Sequence, residues 1–66
     1  MTHRVNAQFK DGGVMTEVAD AMPPRCGDLI ILARRDRSVP MRVVAIWTPS
    51  SKLRGDGLLV VEMREV

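Results

Sequence analysis

Cys26 is the only thiol in a chain of 66 residues, and it stands between Arg25 and the pair Gly27-Asp28. A neighbouring cation lowers a thiol's pKa and favours the nucleophilic thiolate. A thiolate enzyme also needs a base within hydrogen-bond reach. The single histidine, His3, is far away in sequence, at a terminus expected to fray. Cys26 is therefore read as an inert thiol, and Asp28 as a turn residue whose carboxylate accepts backbone N–H groups. The other carboxylates (Asp11, Glu17, Asp20, Asp36, Asp56, Glu62 and Glu65) are scattered over turns and strand ends. General acid–base work needs titratable groups that converge, so no catalytic residue is assigned.

Metal and cofactor chemistry fare no better. A closed zinc site needs four Cys or His ligands at short spacings, and this chain has two such residues in all. Gly12-Gly13 and Gly55-Asp56-Gly57 lack the spacing and the following helix of a phosphate-cradling loop. No cofactor is expected.

The arginines carry more information. Net charge is only +2, but residues 25–54 hold Arg25, Arg34, Arg35, Arg37, Arg42, Lys52 and Arg54 against Asp28 and Asp36, a local +5. Arg34, Arg35, Arg37, Arg42, Lys52 and Arg54 are the candidate contacts to phosphate or nucleic acid, since guanidinium groups suit bidentate phosphate binding. A shared patch requires the 35–38 turn and the 48–57 loop to lie at the same end of the molecule. Base-stacking aromatics are scarce: Phe9 and Trp47 are the only aromatic residues.

The elements that position these groups follow from periodicity. Residues 3–10 alternate, with Val5, Ala7 and Phe9 on one side and Arg4, Asn6, Gln8 and Lys10 on the other, which marks a half-buried strand. Asp11-Gly12-Gly13 supplies the positive φ values of a tight hairpin turn. Residues 14–20 return as a strand with Val14, Thr16 and Val18 on one face. The alternative is a short helix over 14–22, with Met15, Val18, Ala19 and Met22 as its apolar stripe. Met22-Pro23-Pro24-Arg25-Cys26 is a stiff connector.

The run Leu29-Ile30-Ile31-Leu32-Ala33 then opens a strand, 28–34, that is apolar on both faces and so expected to be buried on both. After the polar turn Arg35-Asp36-Arg37-Ser38, a strand over 39–48 places Val39, Met41, Val43, Ala45 and Trp47 against Arg42, Val44 and Ile46. Pro40 removes a ladder donor and belongs at that strand's start or on an edge. A polar loop, 48–57, leads to a last strand, 58–66.

Five short strands with Gly and Pro punctuation predict one all-β domain over 1–66: a five-stranded small barrel or a strongly bent antiparallel sheet. If 14–22 is helical, the class becomes α+β. The layout Phe9-x-Asp11-Gly12, Met22-Pro23-x-x-x-Gly27-Asp28-x-Ile30-x-Leu32, Val43-Val44-x-Ile46-Trp47 and Val60-x-Glu62-Met63 resembles the small SH3-like barrels found in bacterial genomes, phages and mobile gene cassettes. The resemblance spans nearly the whole chain and implies a five-stranded SH3-like barrel. That fold serves many ends and implies little about function. The tetrameric type II dihydrofolate reductases share it, but their Val-Gln-Ile-Tyr pore motif has no counterpart here. There is no tyrosine, and the one glutamine, Gln8, falls in the first strand.

Size supplies the last expectation. A 66-residue domain has a marginal core, and a single cysteine gives it no internal disulfide. A second subunit is the remaining source of stability, so a homodimer or higher self-assembly is expected, with Ile30, Leu32 and Trp47 as candidate interface residues. The single cysteine and the lack of a signal peptide point to the cytoplasm. No apolar run approaches the roughly 20 residues that span a bilayer, so no membrane partner is expected.

Overall fold

A computed structural model describes residues 1–48 and 57–66. The described chain is all-β, with five strands: β1 (Thr2–Gln8), β2 (Val14–Asp20), β3 (Leu29–Arg34), β4 (Arg37–Trp47) and β5 (Leu59–Glu65). They form one sheet in the order β2-β1-β5-β4-β3, strongly curled into a half-barrel. The segment that could have been a helix is strand β2 along its length, paired residue for residue with β1 from Gln8↔Val14 to Thr2↔Asp20.

Three pairings are antiparallel, and β1 with β5 is parallel. The parallel pair follows from alternation. When five strands run up and down in turn, the first and last point the same way, and here they are neighbours. β2 and β3 are left as the two edges of the sheet.

The concave face holds the core: Val5 and Ala7 from β1 with Phe9 just after it, Val39, Met41 and Val43 from β4, and Val61 and Met63 from β5. Met15, Ile30, Leu32 and Ile46 pack against it, half-buried. His3 joins the buried face of β1 at 3% exposure and donates its Nδ1–H to the Ala21 carbonyl at 3.1 Å. The expected fraying does not occur at His3, because β1 is paired there on both sides, with Ala19 and with Leu59.

Two strands differ from expectation for identifiable reasons. β3 is an edge strand and is not buried on both faces: Leu29 and Ile31 are 55% and 60% exposed, while only Ile30 and Leu32 face the core. One curled sheet has one core, so its convex side stays open. In β4, a register shift between Val43 and Ala45 inserts an extra residue opposite β5. A bulge of this kind reverses the alternation beyond it. Ile46 therefore packs inward, and Trp47 turns out onto the convex side at 44% exposure, opposite Val60.

Pro40 lies inside β4 but at a local edge, because the β4–β5 register begins only at Met41. On that side its carbonyl accepts from Val66 N–H at 3.1 Å, and the donor it lacks falls beyond the end of the regular ladder.

Candidate interaction surface

The open edge of β3 is where exposed apolar side chains and free backbone groups coincide. Ile31 is the register partner of Pro40. Proline has no N–H, so this pair cannot exchange two hydrogen bonds, and the bonded rungs must be Ile30–Met41, Leu32–Val39 and Arg34–Arg37. The backbone groups of Leu29, Ile31 and Ala33 therefore point away from β4, toward the unpaired edge. Their side chains lie on the convex face, all exposed, with Ile31 beside exposed Pro40.

The start of this edge is fixed by its entry turn. Arg25 N–H donates to Asp28 Oδ2 at 2.9 Å, and Asp28 N–H donates back to the Arg25 carbonyl at 3.0 Å. Gly27, at φ 94°, and Asp28 both bond to Val43, and Arg42 Nη1 donates to the Gly27 carbonyl at 3.0 Å. Asp28 thus has the turn-forming role expected of it. Cys26 is exposed, with its thiol directed at the Val43 carbonyl at 3.9 Å.

The far end of β3 is held differently. Arg34 Nη1 donates to Asp11 Oδ2 at 2.7 Å, and its guanidinium lies 4.0 Å from the centre of the Phe9 ring. This contact ties the β1–β2 turn to the β3–β4 turn, two hairpins that no strand ladder joins. Gly13 lies directly beneath the guanidinium, where any Cβ would displace it. Asp11 also accepts from Gly13 N–H at 2.8 Å. That bond and the one from Arg34 hold the Asp11 carboxyl below its ordinary value of 3.8. Arg35 closes the β3–β4 hairpin at φ 58°.

Among the described residues, the arginines marked out by sequence do not share one face. Arg34 is directed inward and committed to Asp11 and Phe9, Arg35 and Arg37 are exposed at the turn, and Arg42 is exposed on the convex face. Lys52 and Arg54 lie outside the described residues. The 35–38 turn and the ends of the 48–57 loop stand at opposite ends of the eleven-residue β4, about 30 Å apart at strand rise.

Sequence reasoning missed Lys10 and Arg64, which the parallel β1–β5 pairing brings to the same end as Arg35 and Arg37. Two shallow clefts lie there. One, of about 430 Å³, is lined by Gln8, Phe9, Lys10, Arg64 and Glu65, and the other, of about 360 Å³, by Asp11, Arg34, Arg35, Asp36 and Arg37. Both mix acids with bases. Among the described residues, no three His, Cys, Asp or Glu side chains are grouped to hold a metal ion.

Of the candidate interface residues, Trp47 is exposed, while Ile30 and Leu32 face the core. Leu29 and Ile31, one position away from each, are the exposed pair. The signal that finds them is the edge position of β3, which no local pattern encodes. Comparisons with protein-family models, curated proteins and solved structures give no match to this chain.

Proposed function

We propose that this protein is a non-enzymatic interaction module that works as a homo-oligomer through the open edge of its sheet. The observation that carries the reading is β3. Five consecutive apolar residues occupy an edge strand, with Leu29 and Ile31 more than half exposed and the backbone groups of three residues unpaired among the described residues. An edge of that kind is a template for a further strand, and folded proteins ordinarily guard it with charge or proline. The exposed thiol of Cys26 fits a reducing compartment such as the cytoplasm. No helix among the described residues is long and apolar enough to cross a membrane.

The experiment is the solution mass by light scattering at micromolar concentration, for the native chain and for Ile31→Lys. A multimer that falls to 7.3 kDa on substitution supports the reading. A native chain that is already monomeric overturns it.

A second reading, a barrel that binds nucleic acid, has one observation in its favour: Lys10, Arg35, Arg37 and Arg64 are all exposed at one end. It requires binding to random DNA or RNA at low salt that weakens steeply as salt rises. No binding at low salt removes it.

A further inference from the structure

Resting on the self-association just proposed, we infer that the occupant of the β3 edge is β3 of a second copy, antiparallel across a two-fold axis at Ile31. Three features of the strand select this arrangement.

The first is hydrogen-bond parity. The outward backbone groups belong to Leu29, Ile31 and Ala33, so a bonded pairing must match odd positions with odd positions. Ile31 opposite Ile31 of the second copy, with Leu29 opposite its Ala33, forms three reciprocally bonded rungs. A one-residue slip breaks all of them.

The second is apolar matching. With the axis at Ile31, the run Leu29–Ala33 meets its own copy along its full length, and Ile30 meets Leu32 on the concave face, where both are half-exposed in the single chain. Moving the axis to Ile30 sets Leu32 against Asp28. Moving it to Leu32 sets Ile30 against Arg34.

The third is charge. The strand is preceded by Asp28 and ends at Arg34. Antiparallel pairing about Ile31 places each Asp28 across from Arg34 of the other copy, on the same face. Parallel pairing would bring Asp28 to Asp28 and Arg34 to Arg34, and like charges directly opposite destabilise a ladder. In the dimer Arg34 then lies between two carboxylates, its own Asp11 and the second copy's Asp28. The other edge, β2, is a poorer match to itself, because it carries Glu17 and Asp20 with no cation. The result is an isologous interface, which closes as a dimer and does not propagate.

The test uses the native thiol count to advantage. In a Cys26→Ser background, Ile31→Cys puts two thiols on the axis, where bonded antiparallel rungs hold Cα atoms about 5.5 Å apart, within disulfide range. Leu29→Cys alone puts its two thiols four residues out of register, beyond bridging. Near-complete covalent dimer at position 31 under mild oxidation, and little at position 29, is the expected result. A 1:1 mixture of Leu29→Cys and Ala33→Cys chains should cross-link only as the mixed pair.

A light-scattering dimer that cross-links through Thr16→Cys in β2 and not through position 31 overturns this inference while leaving self-association standing. A monomeric native chain overturns both. In the unsubstituted protein, amide exchange at Leu29, Ile31 and Ala33 should slow at least tenfold between dilute and concentrated samples. Exchange there that is independent of concentration overturns the pairing without reference to any variant.

Discussion

The two edges of the sheet are built from similar numbers of apolar residues and guarded very differently. β2 shows Val14 and Val18 on its exposed side, 69% and 54% exposed, but Thr16 separates them and Glu17 and Asp20 interrupt the strand. β3 shows Leu29 and Ile31 with no charge anywhere between Asp28 and Arg34. Exposure alone does not distinguish the two. What distinguishes them is interruption: an edge with acidic side chains repels a copy of itself, and an edge without them accepts one. The same strand that a sequence pattern marks as doubly buried is the one the fold leaves half-uncovered.

The largest effect on this contrast should come from beneath β3. Met41 pairs with Ile30 and is fully buried, whereas Met15 of β2 is only half-buried at the rim of the core. Met41→Ala is expected to cost about 2–5 kcal/mol in urea unfolding. Met15→Ala should cost roughly 1 kcal/mol, in line with the smaller apolar area it removes from water. Equal losses would mean that the two edges rest on the core equally.

A charge on each edge comes next. Ile31→Lys should abolish the multimer and Val18→Lys should leave the mass unchanged, both with monomer stability shifted by no more than about 0.5 kcal/mol, as for other exposed positions. If Val18→Lys dissociates the protein instead, the edges have been assigned the wrong way round.

Acid probes the clasp between the hairpins. Asp11 is held below its ordinary carboxylate value by Gly13 N–H and Arg34. A lowered folded-state pKa contributes stability that is present above the unfolded value of 3.8 and is lost as pH falls through the folded one. Chemical unfolding followed from neutral pH down to about pH 2 should therefore show a smaller acid loss in Asp11→Asn than in the native chain. The difference should be modest, because Asp11 is solvent-exposed and its ion pair is screened.

The smallest effect belongs to the β3–β4 turn. Arg35 has a positive φ that glycine adopts without the Cβ penalty. Arg35→Gly should raise stability by no more than about 1 kcal/mol, part of the relief being offset by the freer unfolded chain.

Most of the strand pattern was legible in the sequence, because alternation and turn chemistry are local. Val5, Ala7 and Phe9 announce a half-buried β1, Asp11-Gly12-Gly13 its hairpin, and Asp28 its turn role. Long-range facts were not legible. The bulge after Val43 is a property of the β4–β5 register, so strict alternation put Trp47 on the side opposite to the one it occupies. Burial of His3 depends on two neighbours that arrive from residues 19 and 59. The Arg34 clasp joins residues 23 apart in sequence through an end of the sheet that no ladder bridges. Even the double apolar face of β3 was visible in the sequence, but not which half the fold would cover.

The mass of the native protein in solution tests the central claim most directly. Light scattering at micromolar concentration should return a single species near twice 7.3 kDa, and the same measurement on Ile31→Lys should return 7.3 kDa. A native chain that stays at 7.3 kDa throughout the micromolar range would contradict it.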